Sequence, residues 1–270
     1  MNYYYLIAGL PDISIDDHRV SMSPTEVIEE LLERVEPADR RLLELYLRRH
    51  DNANLLTLLQ GREGAAWDEA GLLTREALTE AVEAIRLLGR DAEVTLPDYM
   101  TQFLVGYFRP ETLTEDPNAE VRDLFALSRL SERYYAEAAR CRNRVIAAWF
   151  DYERRLGDLL TTFTCRRLGL NAAPYLIGGE SDEDFEERDE VAQIAAGTDA
   201  VDKERRLDAL RWRHVEELTQ LCHFGIERLF TFLVQTDIIR RWQRLDEAAG
   251  EAKLRAMIEA LKQGALAQAQ

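Results

Sequence analysis

Lysine, proline, glycine and cysteine are all scarce in this 270-residue chain, and each scarcity excludes something. Only Lys203, Lys253 and Lys262 are lysines; the remaining basic residues are arginines, and the formal net charge is -16. A chain so short of clustered cations is a poor nucleic-acid binder, because phosphate contacts need Lys and Arg to displace counterions. Adhesion to anionic lipid is disfavoured on the same ground. The three cysteines, Cys141, Cys165 and Cys222, are far apart and form no CxxC pair, which fits a reducing cytoplasm rather than a disulfide framework. No apolar run approaches the roughly 20 residues needed to span a bilayer. The N-terminus lacks the basic and apolar regions of a signal peptide, so the expectation is a soluble cytoplasmic protein. Strand-forming runs of Val, Ile and Thr are nearly missing, and with 14 glycines and 7 prolines there are few breakers. Nothing here builds a sheet.

What remains is the composition of long helices: 46% apolar, 31% charged, dominated by Ala, Leu, Glu and Arg. The expected fold is all-α, one elongated body. Arginine holds bidentate carboxylate pairs better than lysine does, so Arg-laced helix faces are one account of the basic residues; a compositional bias of the genome is another. Ser23-Pro24-Thr25-Glu26 supplies a cap, a proline for the first turn and a glutamate for a capping box, which starts a helix at Pro24 that runs through Val35. A wide apolar stripe covers Ala38 to Arg49. Asp51-Asn52 then either caps a fresh helix or kinks the existing one, and Gly61 is a natural C-cap. Further helices are expected from Thr74 to Leu88 and after Pro97.

Two long periodic segments dominate the second half. Tyr134, Ala138, Cys141, Val145, Trp149, Tyr152, Leu156, Leu159 and Phe163 recur at spacings of three and four, which predicts one helix from Ala119 to Arg167, roughly 70 Å long. Leu207 to Ile239 keeps the same rhythm to Leu245, and the two are expected to pack as a long antiparallel helical hairpin. Between them, 168–202 reads as an acidic connector, too charged and glycine-rich around Gly178-Gly179-Glu180-Ser181-Asp182 to bury. The organisation is therefore an N-terminal helical region over 1–117, the hairpin over 118–250, and a tail over 251–270 with one last short helix.

Candidate chemistry is thin. Asp16-Asp17-His18 is a fragment of a metal or acid-base site without the three or four donors that one needs. His214 and His223, near Glu216, Glu217 and Cys222, are nine positions apart and face opposite sides of a helix, so they share no ion; His214 reads as a core histidine. Asp182, Asp184, Glu186 and Glu187 lack the glycine and glutamate that an EF-hand loop places at its sixth and twelfth positions. Phosphate-binding and nucleophile-elbow motifs are missing, as are the paired Glu-x-x-His segments of di-iron bundles. The expectation is a non-catalytic protein with no cofactor and no metal. An all-helical enzyme with His18, His214 and His223 gathered round one pocket is the rival that structure can test.

The chain opens with Tyr3-Tyr4-Tyr5-Leu6-Ile7-Ala8-Gly9-Leu10-Pro11, a run too apolar to leave in water and therefore expected to dock on the body of the protein. It resembles the start of a little-characterised bacterial family encoded among V-type ATPase subunits, itself similar to the ATPase central-stalk protein known as C in archaea and bacteria and as d in eukaryotes. Asp51-Asn52-Ala53-Asn54-Leu55-Leu56 looks like the Asp-x-x-Asn-Leu segments that recur in that stalk protein. Phe224-Gly225-Ile226-Glu227-Arg228-Leu229 through Ile239-Arg240-Arg241-Trp242 resembles its C-terminal helical segment. Those relatives are funnel-shaped, all-helical and built of three similar parts; here approximate internal similarity lies around Asp51, Glu153 and Glu227. The resemblance implies a central-stalk adaptor, peripheral on the inner face of the membrane, that joins the ATPase shaft subunits to the membrane rotor ring in proton or sodium transport. It also implies that Asp51, Asn54, Glu227 and Arg228 make structural or docking polar contacts. The alternative is an all-helical scaffold or regulator unrelated to ATPases, using the same faces for partner helices.

Overall fold

The computed structural model describes residues 2–16, 24–61, 66–108, 119–178 and 184–245. The fold is all-α, and no strand occurs among the described residues. The helices are α1 (Tyr4–Ala8), α2 (Pro24–Arg34), α3 (Pro37–Leu59), α4 (Arg75–Leu88), α5 (Asp98–Tyr107), α6 (Ala119–Ala138), α7 (Arg144–Leu168), α8 (Arg188–Ala196), α9 (Ala200–Thr219) and α10 (226–245). The chain divides into two compact units, one drawn from Met1–Arg34 and Cys222–Gln270 and the other from Val35–Leu221. No helix among the described residues is long and apolar enough to cross a membrane.

In the first unit, α2 buries Val27, Ile28, Leu31 and Leu32, the i, i+1, i+4, i+5 stripe of an amphipathic helix. Helix α10 is buried without a break from 229 to 239, a run with no solvated stripe. The tyrosine-rich start is anchored here by its first members: the Tyr3 N–H donates to the Phe224 carbonyl at 2.7 Å, and the Tyr4 ring packs at a tilt against Phe224, with centroids 4.4 Å apart and planes 38° from parallel. The run as a whole does not dock as expected, because only Tyr3 is buried and Tyr5 is 97% exposed. A five-residue helix has too few turns to bury more than one side of itself.

In the second unit, α3 runs unbroken from Pro37 to Leu59, so Asp51-Asn52 neither caps nor kinks it. Helix α4 begins where Thr74 accepts a hydrogen bond from the Ala77 N–H at 3.2 Å, as its capping chemistry predicts. The single helix expected over 119–167 is two helices. Asn143 caps the second by accepting from the N–H groups of Val145 and Ile146, each at 3.1 Å, a local bond that outcompetes continuation of the apolar rhythm. The second periodic segment likewise breaks, between α9 and α10 at 220–225.

Helices α7 and α9 do run antiparallel, since Trp149 meets His214 while Glu153 meets Arg211. The acidic connector is not simply a solvated loop. It contains α8, whose Val191 and Ile194 are buried together with Phe185, and whose Glu190 pairs with Arg213 of α9 at 3.0 Å. Three apolar side chains among many acids were enough to dock it. The tail helix expected after 250, and Asp17 and His18 of the N-terminal loop, lie outside the described residues.

Candidate functional site

Helix α3 buries Leu43, Tyr46, Leu47, His50, Asp51, Asn54 and Leu55, an i, i+3, i+4 stripe in which three of the seven positions are polar. Buried polar groups are costly unless hydrogen-bonded, and these find partners in the segment that leads into α4, Asn54 and Asp51 on its backbone and His50 on the Asp68 side chain. Asn54 grips Asp68 on both sides, donating to its carbonyl at 3.0 Å and accepting from its N–H at 2.9 Å. Asp51 Oδ1 accepts from the Leu73 N–H at 3.0 Å. His50 Nδ1 lies 3.0 Å from Asp68 Oδ2, while Asp68 Oδ1 accepts from the Ala70 N–H at 3.1 Å. The approach is so close that a Cβ on Gly71 would sit 2.5 Å from Asp51 Oδ1 and 3.2 Å from Asn54 Nδ2. One face of α3 therefore fixes where α4 starts.

Asp51 is fully buried, and its second oxygen, Oδ2, has no hydrogen-bond partner among the described residues. Burial pushes its carboxyl up to about 6, against the smaller lowering influence of the Leu73 N–H, Arg48, the Leu72 N–H and His50.

Helix α7 repeats the device. Asp158 is buried, and its Oδ1 accepts from the Ile177 N–H at 2.7 Å while Oδ2 accepts from the Gly178 N–H at 2.8 Å. Arg154, one turn earlier, donates to Asp158 Oδ2 at 3.2 Å and to Asp151 at 2.9 Å. A Cβ on Gly178 would collide with the Arg154 guanidinium. In both places a mid-helix carboxylate captures backbone N–H groups about twenty residues downstream, 22 in the first case and 20 in the second, beside a glycine that has no room for a side chain. Another buried carboxylate, Asp237 of α10, accepts from Arg240 Nη2 at 2.9 Å; the chain that follows α10 lies outside the described residues.

Helices α7 and α9 share a charged cluster in which Arg211 donates to Glu153 at 2.9 Å and to Asp208 at 3.1 Å. His214 of α9 stacks face to face on Tyr152, with centroids 3.6 Å apart and planes 12° from parallel. Desolvation there pushes the imidazole down to about 4, so it is neutral at pH 7; the residue is half-buried at the edge of the α7–α9 contact rather than in the core, where it was expected. His223 is exposed in the other unit. Among the described residues no group of three or more His, Cys, Asp or Glu is placed to hold a metal ion. The first unit carries an open groove where Tyr5, Leu6, Leu10 and Pro11 face Val27 and Leu31, with the Glu30–Arg34 pair on its rim.

The four residues assigned polar contacts by resemblance separate cleanly. Asp51 and Asn54, at 0% and 2% exposure, spend their polar atoms inside the fold, so their contacts are of the structural kind. Glu227 is half-buried and folds its carboxylate over Gly225 at the start of α10; Arg228 is exposed. Sequence reasoning missed Asp158, Asp208 and Asp237. Their signal was an acidic residue on the apolar stripe of a helix, where a solvated face is not available to it.

A comparison with curated proteins finds no match, and a comparison with solved structures finds none. The family model described as protein of unknown function (DUF2764) matches residues 1–265, and the chain belongs to that family.

Proposed function

We propose that this chain is a central-stalk adaptor of a V-type rotary ATPase, a non-catalytic link between the shaft subunits and the membrane rotor ring in ion transport. What carries the reading is recurrence. The Asp51–Asn54 segment that resembles the central-stalk protein grips the strap ahead of α4, and Asp158 grips 177–178 in the same manner farther along the chain. A protein assembled from similar parts repeats its structural device.

The physics suits the role. A torque coupler has to resist deformation, and straps bonded to helix faces through buried, geometrically fixed side chains remove the soft connections between helices. The chain's -16 charge favours docking onto a basic shaft surface through electrostatic complementarity, which sets register and association rate. Exposed Tyr5, beside the groove, supplies the aromatic anchor that protein interfaces favour.

The direct test is reconstitution. The purified chain is expected to bind purified shaft subunits, with an affinity that falls as salt rises, and to hydrolyse no ATP alone. A folded chain that ignores both shaft and ring would instead favour the scaffold reading.

A further inference from the structure

The strap Asp68–Leu73 meets α3 through a carboxyl whose two oxygens are treated differently. Asp51 Oδ1 is pinned by the Leu73 N–H, one residue ahead of the Thr74 cap of α4. Oδ2 is buried and without a partner among the described residues. Ionised, this group places a negative charge, half of it unsolvated, against backbone; protonated, it keeps the Leu73 bond without the charge.

We infer that the α3 contact with Asp68–Leu73 is a proton-sensitive latch, held most firmly when Asp51 is protonated and loosened as the proton leaves.

The surroundings do not neutralise the ionised form. Helix α3 offers Arg48 and His50; the strap offers Asp68, which His50 faces, and the backbone N–H groups of Leu72 and Leu73. Helix α5 contributes Tyr99, whose hydroxyl donates to Asn52 at 2.9 Å and whose own ionisation Asp51 opposes. Burial outweighs all of these and carries the carboxyl from 3.8 to about 6. When the strap opens, Asp51 meets water and its ordinary acidity returns. The closed state therefore binds more protons than the open state between those two values, so closure is favoured at low pH and weakens as pH rises through about 6. Because the latch sets the start of α4, pH acts on the packing of α4 against α3. The inference does not depend on the ATPase reading.

Hydrogen exchange on the full-length chain tests it. After correction for intrinsic rates, protection of the 71–73 amides is expected to fall about tenfold between pH 5 and pH 7.5, and to stay level in Asp51→Asn, which keeps an acceptor but carries no charge. In His50→Gln the fall should persist. Equal protection at both pH values in the native chain overturns the inference, as does a fall that survives in Asp51→Asn or vanishes only in His50→Gln. Should a variant not fold, the carbon-detected titration of the native Asp51 carboxyl decides: a midpoint near 6 supports the latch, and one near 3.8 overturns it.

Discussion

The straps held by α3 and α7 rest on one device with opposite electrostatics. Asp158 has donors on both oxygens, two backbone N–H groups and the Arg154 guanidinium, whereas Asp51 takes the Leu73 N–H on one oxygen, with the Leu72 N–H as a weaker influence, and its other oxygen has no hydrogen-bond partner among the described residues. A buried carboxylate that is fully bonded clamps; one that is half-bonded strains against its own charge. The same residue type in the same structural position thus stiffens one strap and leaves the other adjustable.

The largest test of that contrast is Asp158→Ala. It strands the Ile177 and Gly178 N–H groups and leaves Arg154 with Asp151 as its remaining partner, so a loss of about 3–5 kcal/mol is expected in urea denaturation of the full chain. If Asp51→Ala costs as much, the two clamps are equivalent and the contrast fails.

Next in size, Asp51→Asn should stabilise the chain at pH 7.5 by up to about 2–3 kcal/mol, since each tenfold change in proton affinity corresponds to about 1.4 kcal/mol. The sign follows from a folded-state value raised from 3.8 to about 6: the native carboxyl costs most above that range, and the variant's advantage should close as pH falls toward 4. A destabilised variant at pH 7.5 would mean that the charge is wanted where it is.

Gly71→Ala should cost about 1–3 kcal/mol, because the new methyl meets Asp51 and Asn54, short side chains fixed by their own bonds. Gly178→Ala should cost less, because the obstacle there is the far end of Arg154, which can swing aside. Thermal melts of the two variants give the order directly, and the reverse order would show that the Arg154 guanidinium is held too firmly to swing aside.

The smallest effect is expected at His214. Burial holds its imidazole neutral down to about 4, so the folded state loses stability as pH drops from 6.5 toward that value, the opposite direction to Asp51. His214→Phe, which keeps the stack on Tyr152, should flatten this acid limb in melts between pH 4 and pH 7.

The all-helical class was legible from composition, and α2, α4 and α5 from caps and prolines that act locally. Breaks at 139–143 and 220–225 were not, because apolar periodicity runs on through Ala138, Cys141 and Val145 whether or not Asn143 turns to cap. Helix α8 was hidden by its acids, since charge counts say nothing of the three apolar residues that dock it. Of the clamps, Asp51 and Asn54 stood out only through resemblance. Their partners are backbone atoms of Asp68 and Leu73, which no side-chain pattern encodes. Asp158 and Asp237 looked like ordinary charges on amphipathic helices until the helix faces were placed.

Co-purification tests the central claim most directly. A tagged chain expressed in its own cell and drawn from membranes in mild detergent should bring shaft and rotor-ring subunits with it in fixed proportion. Recovery of the intact rotary complex without this chain, while the chain itself remains folded and alone, would contradict the adaptor role.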